Sequence, residues 1–238
     1  MPRRRRAGLW SSVPEVVGEL LLLSLLFAAG ALLLPIVRAQ SGAAPTGVRA
    51  PYSAMASFLC IGAGFMILEV GLMQRLVLYL GHPTHALTTV LSGLLMGTGA
   101  GSFLAGRLSK SAQERVPLVV ALAAAAVIAA LNQIQPIVFG WTQGLTVPVK
   151  VVLTESMMIP VGLLLGMLMP TGIGRLRTQG RSWVAWAWGL NGFASVAGSC
   201  IAVLFAMSLG FRATLYLAAG LYLLAGASSL LLPKAERT

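Results

Sequence analysis

Aspartate is missing from this sequence, and glutamate occurs six times, at Glu15, Glu19, Glu69, Glu114, Glu155 and Glu236. Paired-carboxylate acid–base chemistry needs two acids held together, and magnesium or calcium sites need clustered oxygen ligands. The sequence argues against both. Cysteine is nearly as rare: Cys60 and Cys200 lie in separate apolar segments, without CxxC spacing or a neighbouring histidine. They read as small apolar filler, not as a redox or metal pair. There is no serine–histidine–acid arrangement, no HExxH, no Walker loop and no GxGxxG following a strand. No catalytic residue, metal or cofactor is therefore expected. Charge is scarce too, at 10% of residues against about 25% in a soluble domain. With 57% hydrophobic residues and a mean hydropathy of +0.86, the chain cannot cover a water-facing surface. It is expected to be an integral membrane protein with the lipid bilayer as its first partner.

What charge there is leans one way, with 17 basic residues against 6 acidic and a net charge of +11. The basic residues are spread over short segments between apolar runs. That pattern orients a membrane protein and meets lipid headgroups. It offers no basic cluster interleaved with stacking aromatics, so no nucleic-acid partner is expected.

Residues 1–17 form a basic tail opening MPRRRR. Residues 18–37 are an apolar run of spanning length, read as a first transmembrane or signal-anchor helix, because the run exceeds the ~7–15 residues of a cleavable core. A Gly/Ala/Pro/Ser linker follows at 38–50. Residues 51–232 then read as a six-helix membrane domain, with spans at 52–80, 87–106, 116–134, 147–169, 183–209 and 215–232. A short tail closes the chain at 233–238. The fold class is thus all-α, a polytopic transmembrane bundle of about seven helices, six plus the N-terminal one. In the third span Gly93, Gly97, Gly101 and Ala105 recur every four residues, a small-residue stripe that lets another helix approach closely. The second span is the expected neighbour. Trp183, Trp186 and Trp188 suit an interfacial aromatic belt.

The loops give an orientation. One side collects Arg38, Arg49, Arg107, Lys110, Arg115, Arg175, Arg177, Arg181, Lys234 and Arg237, and the other collects Lys150, Arg212 and both histidines. The first side is expected to be cytoplasmic, in a bacterial inner membrane. The tail MPRRRR breaks the pattern if residues 18–37 cross the membrane.

The segment FMILEVGLMQR, 65–75, carries the candidate polar site. It sets Glu69, Gln74 and Arg75 inside or at the edge of an apolar span, where an ionisable group costs several kcal/mol unless partnered. Glu69 and Arg75 are six residues apart and do not share a helical face. Glu155 in the fifth span is the expected partner of Arg75. Asn191, among Gly192, Ser195 and Gly198, is expected to hydrogen-bond to a neighbouring backbone at a close helix crossing. These five residues either hold the bundle in register or form a polar site for a cation or a proton. His82, Pro83 and His85 in GHPTH read as a turn, since two histidines without a third ligand make a poor metal site.

Three stretches together resemble the membrane-embedded C-terminal part of bacterial spermidine synthase-like (polyamine aminopropyltransferase-like) membrane proteins. They are GFMILEVGLMQRLVLYLGHPTHALTTVLSGLLMGTGAGSFLAGR (64–107), GLLLGMLMPTGIGRLR (162–177) and WAWGLNGFASVAGSCIAVLFAMSLGF (186–211). The resemblance implies a membrane module that anchors or partners a cytoplasmic Rossmann-like transferase domain or subunit. That domain, which would bind the adenosyl cofactor, has no counterpart in this sequence, and an enzyme class that uses an aspartate cannot act through a chain without one. SFLAGRLSK also resembles the basic loop between the second and third helices of major facilitator transporters. Six helices would make one transporter half, and a homo-oligomeric polyamine or cation transporter is the alternative reading.

Overall fold

A computed structural model describes residues 52–108, 110–176 and 181–230, together with isolated helical positions between 16 and 30. The expected linker at 38–50 and tail at 233–238 lie outside the described residues, as do the expected tail at 1–17 apart from Val16 and most of the expected span at 18–37. Among the described residues the fold is all-helical: α1 (Tyr52–Leu80), α2 (Pro83–Gly106), α3 (Lys110–Trp141), α4 (Val147–Leu176) and α5 (Arg181–Leu230). Each contains a stretch long and apolar enough to cross a membrane. Leu95, Met96 and Phe103 on α2, Val119 and Leu122 on α3, and Leu223 and Leu224 on α5 are exposed. Lipid solvates such a surface; water would not. The chain is a multi-pass membrane bundle.

α5 merges the two last expected spans. At about 1.5 Å per residue its 50 residues would far exceed the ~30 Å hydrocarbon layer, and Gly210 divides it. Gly210 has φ 82° and ψ 167°, a backbone state open to glycine and to little else. Contacts with α1 show the chain reversing there. Along the first arm, 181–209, Trp183 and Ala187 cluster with Phe58, and Asn191 meets Gly62, so this arm runs parallel to α1. Along the second arm, 211–230, Thr214 meets Gly71, Tyr222 meets Gly64 and Ala225 accepts from Ser57 Oγ at 2.8 Å, so this arm runs back. Residues 52–230 thus hold six membrane-length segments.

The helices form two pairs and a bridge. α1 lies along both arms of α5, α2 lies along α4, and α3 joins α5 to α4. The glycine stripe of α2 does not face α1, as expected from sequence, but α4. Gly162 and Gly166 of α4 are the physical reason: glycine meets glycine, and a Cβ on Gly162 would stand 3.0 Å from Gly97 Cα. The glycines of α1 at this depth, Gly62, Gly64 and Gly71, are instead taken up by α5, where they meet Asn191, Tyr222 and Thr214.

Several boundaries also shift. α2 starts at Pro83, a favoured first helical position, with His82 as cap accepting from Thr84 N–H at 3.3 Å through Nδ1. Gly81, at φ 76°, makes the preceding bend. α3 runs through Pro136 to Trp141, and α4 runs through Pro170 to Leu176. Residues 135–141 and 170–176, expected as loop between the spans, are helix, because neighbouring helices satisfy backbone groups freed by a membrane proline. Trp183 is buried between Phe58, Leu176 and Ala187 rather than placed in a belt.

Two ends can be named. The basic end gathers Tyr52, Gly106, Leu176, Arg181 and Leu230; the histidine end gathers Leu80, Pro83, Trp141, Val147 and Gly210. Arg107 and Arg175 fall at the first, and Lys150, Arg212, His82 and His85 at the second.

Candidate functional site

Between the α1/α5 pair and the α2/α4 pair lies a cleft of about 1080 Å³. It runs from Phe65, Leu95 and Leu165 near mid-bundle to Gly106 and Gly174 at the basic end. Small residues make the room: Gly62 on α1, Gly99 on α2 and Gly166 on α4 all border it. Its polar groups are Thr98 and Ser102 from α2, Asn191 and Ser195 from α5, and Tyr222 from the returning arm. None of its lining residues is charged.

Two of these groups are under-used. Tyr222 is fully buried with its ring against Gly64, and its hydroxyl has no hydrogen-bond partner among the described residues. Asn191 Oδ1 is also buried without a partner. The expected side-chain bond from Asn191 to a neighbouring backbone is thus not made through this oxygen. Ser195 makes the cross-helix contact instead, with Oγ 3.4 Å from Gly62 O and 2.8 Å from Asn191 O. The close crossing itself is present: a Cβ on Gly198 would lie 2.8 Å from Ala63 Cα. A buried hydroxyl and a buried amide oxygen left unpaired cost about 1–3 kcal/mol each. They give the cleft both a hydroxyl that can donate and an acceptor.

The five residues proposed from sequence do not converge. Glu69 lies one turn beyond Phe65 on the same face of α1. It is half-buried, as is Gln74, and neither makes a hydrogen bond among the described residues. The pairing of Arg75 with Glu155 is corrected. Arg75 donates from one guanidinium nitrogen to Asn132 Oδ1 at 3.0 Å and Gln135 Oε1 at 3.1 Å, and from the other to Asn132 O at 3.3 Å. Glu155 instead accepts from Ser92 Oγ at 2.5 Å. The reason is topological. Glu155 belongs to α4, which lies on α2, whereas Arg75 faces α3. Nearby, Tyr79 stacks on Phe139 with ring centroids 3.9 Å apart, and its hydroxyl shares a 2.6 Å hydrogen bond with Thr142. The Lys150 ammonium stands over the same Tyr79 ring at 5.1 Å. This layer lies toward the histidine end.

His82 and His85 are exposed, with ring centroids 5.6 Å apart. Among the described residues no group of three or more histidine, cysteine or acidic side chains is placed to hold a metal. Sequence reasoning missed Tyr222 and Ser92, which carry no local signal. It also passed over 132–135, Asn-Gln-Ile-Gln. A run of amides inside an apolar helix is legible as a set of partners for a charge elsewhere. No family model, curated protein or solved structure matches the chain.

Proposed function

We propose that this chain is a non-catalytic membrane module of the spermidine synthase-like kind, and that it holds a small solute in the cleft and presents it at the basic end. The observation that carries the reading is the cleft itself, which extends to the end where the arginines gather and holds two unpaired polar atoms. A pocket of this size, largely apolar with a few convergent polar groups, is the usual form of a small-molecule site. The resemblance of 64–107, 162–177 and 186–211 supplies the partner: a Rossmann-like, aminopropyltransferase-like domain or subunit on the cytoplasmic side of a bacterial inner membrane.

The uncharged lining favours a neutral or amphipathic solute. A polyamine would have to reach Glu69, one turn deeper than Phe65. In the second reading the chain is half of an oligomeric transporter. It is favoured by the cleft reaching one end while Arg75 and Tyr79 are packed against α3, with Tyr79 on Phe139, toward the other.

The test is labelling and co-purification. In a background with Cys60 and Cys200 replaced by alanine, Ser102→Cys and Ser195→Cys are expected to react with a membrane-impermeant maleimide from the cytoplasmic face only. The bulky Ser102→Phe is expected to slow labelling at Ser195→Cys at least tenfold. A cytoplasmic transferase-like protein encoded beside this chain is expected to co-purify with it. Unreactive cysteines at both positions would remove the cleft from the argument. Labelling from both faces, with no co-purifying partner, would replace the module reading by the transporter.

A further inference from the structure

The histidine end holds charges that the cleft does not use. Arg75 is half-buried in α1, and its three hydrogen-bond acceptors, two on Asn132 and one on Gln135, are all neutral. Arg212 on the returning arm of α5 donates to Gln133 Oε1, and its main-chain carbonyl accepts from Asn132 Nδ2 at 3.0 Å. One short segment of α3 therefore ties both guanidinium-bearing segments together. Among the described residues neither arginine meets a carboxylate. Glu155 is taken by Ser92, and Glu69 lies six residues away from Arg75 on a different face.

A separate observation points to what is missing. Gln135 is fully buried. Its Oε1 accepts from Arg75, while its Nε2, on the same carboxamide, has no acceptor. A buried N–H₂ without a partner beside an uncompensated guanidinium is a donor set lacking an acceptor, and both deficits are met by an oxyanion. Arg75 also lies five residues, or about 7–8 Å, from the end of α1, a depth that phosphate groups of a bilayer can approach.

We infer that Arg75, Gln135 and Arg212 form a site for a phosphate-class oxyanion, supplied either as free phosphate or as the phosphodiester of a lipid headgroup. The inference is independent of the cleft. Arg75 and Gln135 supply the fixed inner donors. Arg212 is exposed and tethered through Gln133, and it closes over the anion from the α5 side.

The experiment uses the full chain in dodecyl maltoside micelles, which carry no phosphate, and follows thermal unfolding by tryptophan fluorescence. One arm titrates inorganic phosphate against chloride at equal ionic strength; the other adds phosphatidylglycerol to the micelles. A ligand that binds only the folded state raises the midpoint. Wild type is expected to respond to at least one probe, and which one identifies the source. Arg212→Gln is expected to raise the concentration needed by roughly tenfold, the loss of one charge-assisted hydrogen bond. Gln135→Glu places a carboxylate on Arg75. It is expected to unfold at or above the unliganded wild-type midpoint and to lose the response, which separates loss of the site from loss of the fold. No response of wild type to either probe, or a Gln135→Glu response equal to that of wild type, overturns the site.

Discussion

Gly162→Ala is a direct perturbation of the α2–α4 contact. A Cβ there would stand 2.6 Å from Leu94 O and 3.0 Å from Gly97 Cα. The first distance falls about 0.8 Å short of the 3.4 Å at which ordinary contact begins. Both obstacles are backbone, so no side chain can rotate away, and the helices must part. A gap of 0.5–1 Å forfeits about a quarter to a half of each dispersion contact along the seam, and overpacking of this kind costs about 1–3 kcal/mol. Gly99→Ala is the control, since nothing lies within 4 Å of its Cβ position. Both substitutions gain the same ~0.5–1 kcal/mol of helix propensity, so their difference isolates the steric cost. For a chain of this size 1 kcal/mol moves the midpoint by about 2–4 °C. Since backbone blocks the site, the upper end of the range applies, and Gly162→Ala should unfold about 6–12 °C below Gly99→Ala in mild detergent. Equal midpoints would mean that α2 and α4 do not meet through these glycines.

Other outcomes follow from single contacts. Tyr222→Phe removes a buried hydroxyl without a partner and should raise stability by about 1 kcal/mol, read as a higher unfolding midpoint; if the hydroxyl grips a solute, the same variant should bind that solute more weakly. Arg75→Leu strands Asn132 Oδ1 and Gln135 Oε1 and should cost about 1–3 kcal/mol, with Arg75→Lys intermediate in the same melt. Gly210→Ala forces a side chain into φ 82° and should cost about 1–3 kcal/mol, measurable against Gly220→Ala, whose added Cβ meets nothing within 4 Å. A double-mutant cycle on Ser92→Ala and Glu155→Gln should show coupling of about 0.5–2 kcal/mol; zero coupling would remove that hydrogen bond from the account.

The membrane class was legible because hydropathy is a property of long windows, and side-chain context rarely reverses it. The glycine stripe was legible as an interface for the same reason, yet its partner was not. Small-residue spacing says how close two backbones come and leaves open which two, and only the matching Gly162 and Gly166 single out α4. Arg75 was legible as a residue in need of a partner, and the error lay in seeking a carboxylate. In a bundle a guanidinium can be held by carbonyl and amide oxygens, and Asn132 and Gln135, separated from it by more than fifty positions, come together with it only once α3 stands beside α1. Tyr222 gave no sign, since a tyrosine in an apolar span is ordinary until its hydroxyl is found unpaired.

The return of α5 at Gly210 has a consequence for biogenesis. α1 emerges first of the described helices, with Glu69 and Arg75 already in the apolar layer, but the surfaces that enclose it are synthesised last. Asn132 and Gln135 arrive with α3, and both arms of α5 arrive more than a hundred residues after α1 is complete. A chain halted before residue 181 would leave the face of Gly62, Gly64 and Gly71 bare in lipid. Such a truncation is expected to insert and yet be degraded faster than the full chain in a pulse-chase measurement. Addition of the separate segment 181–230 should restore its lifetime if α5 is the clasp that completes α1.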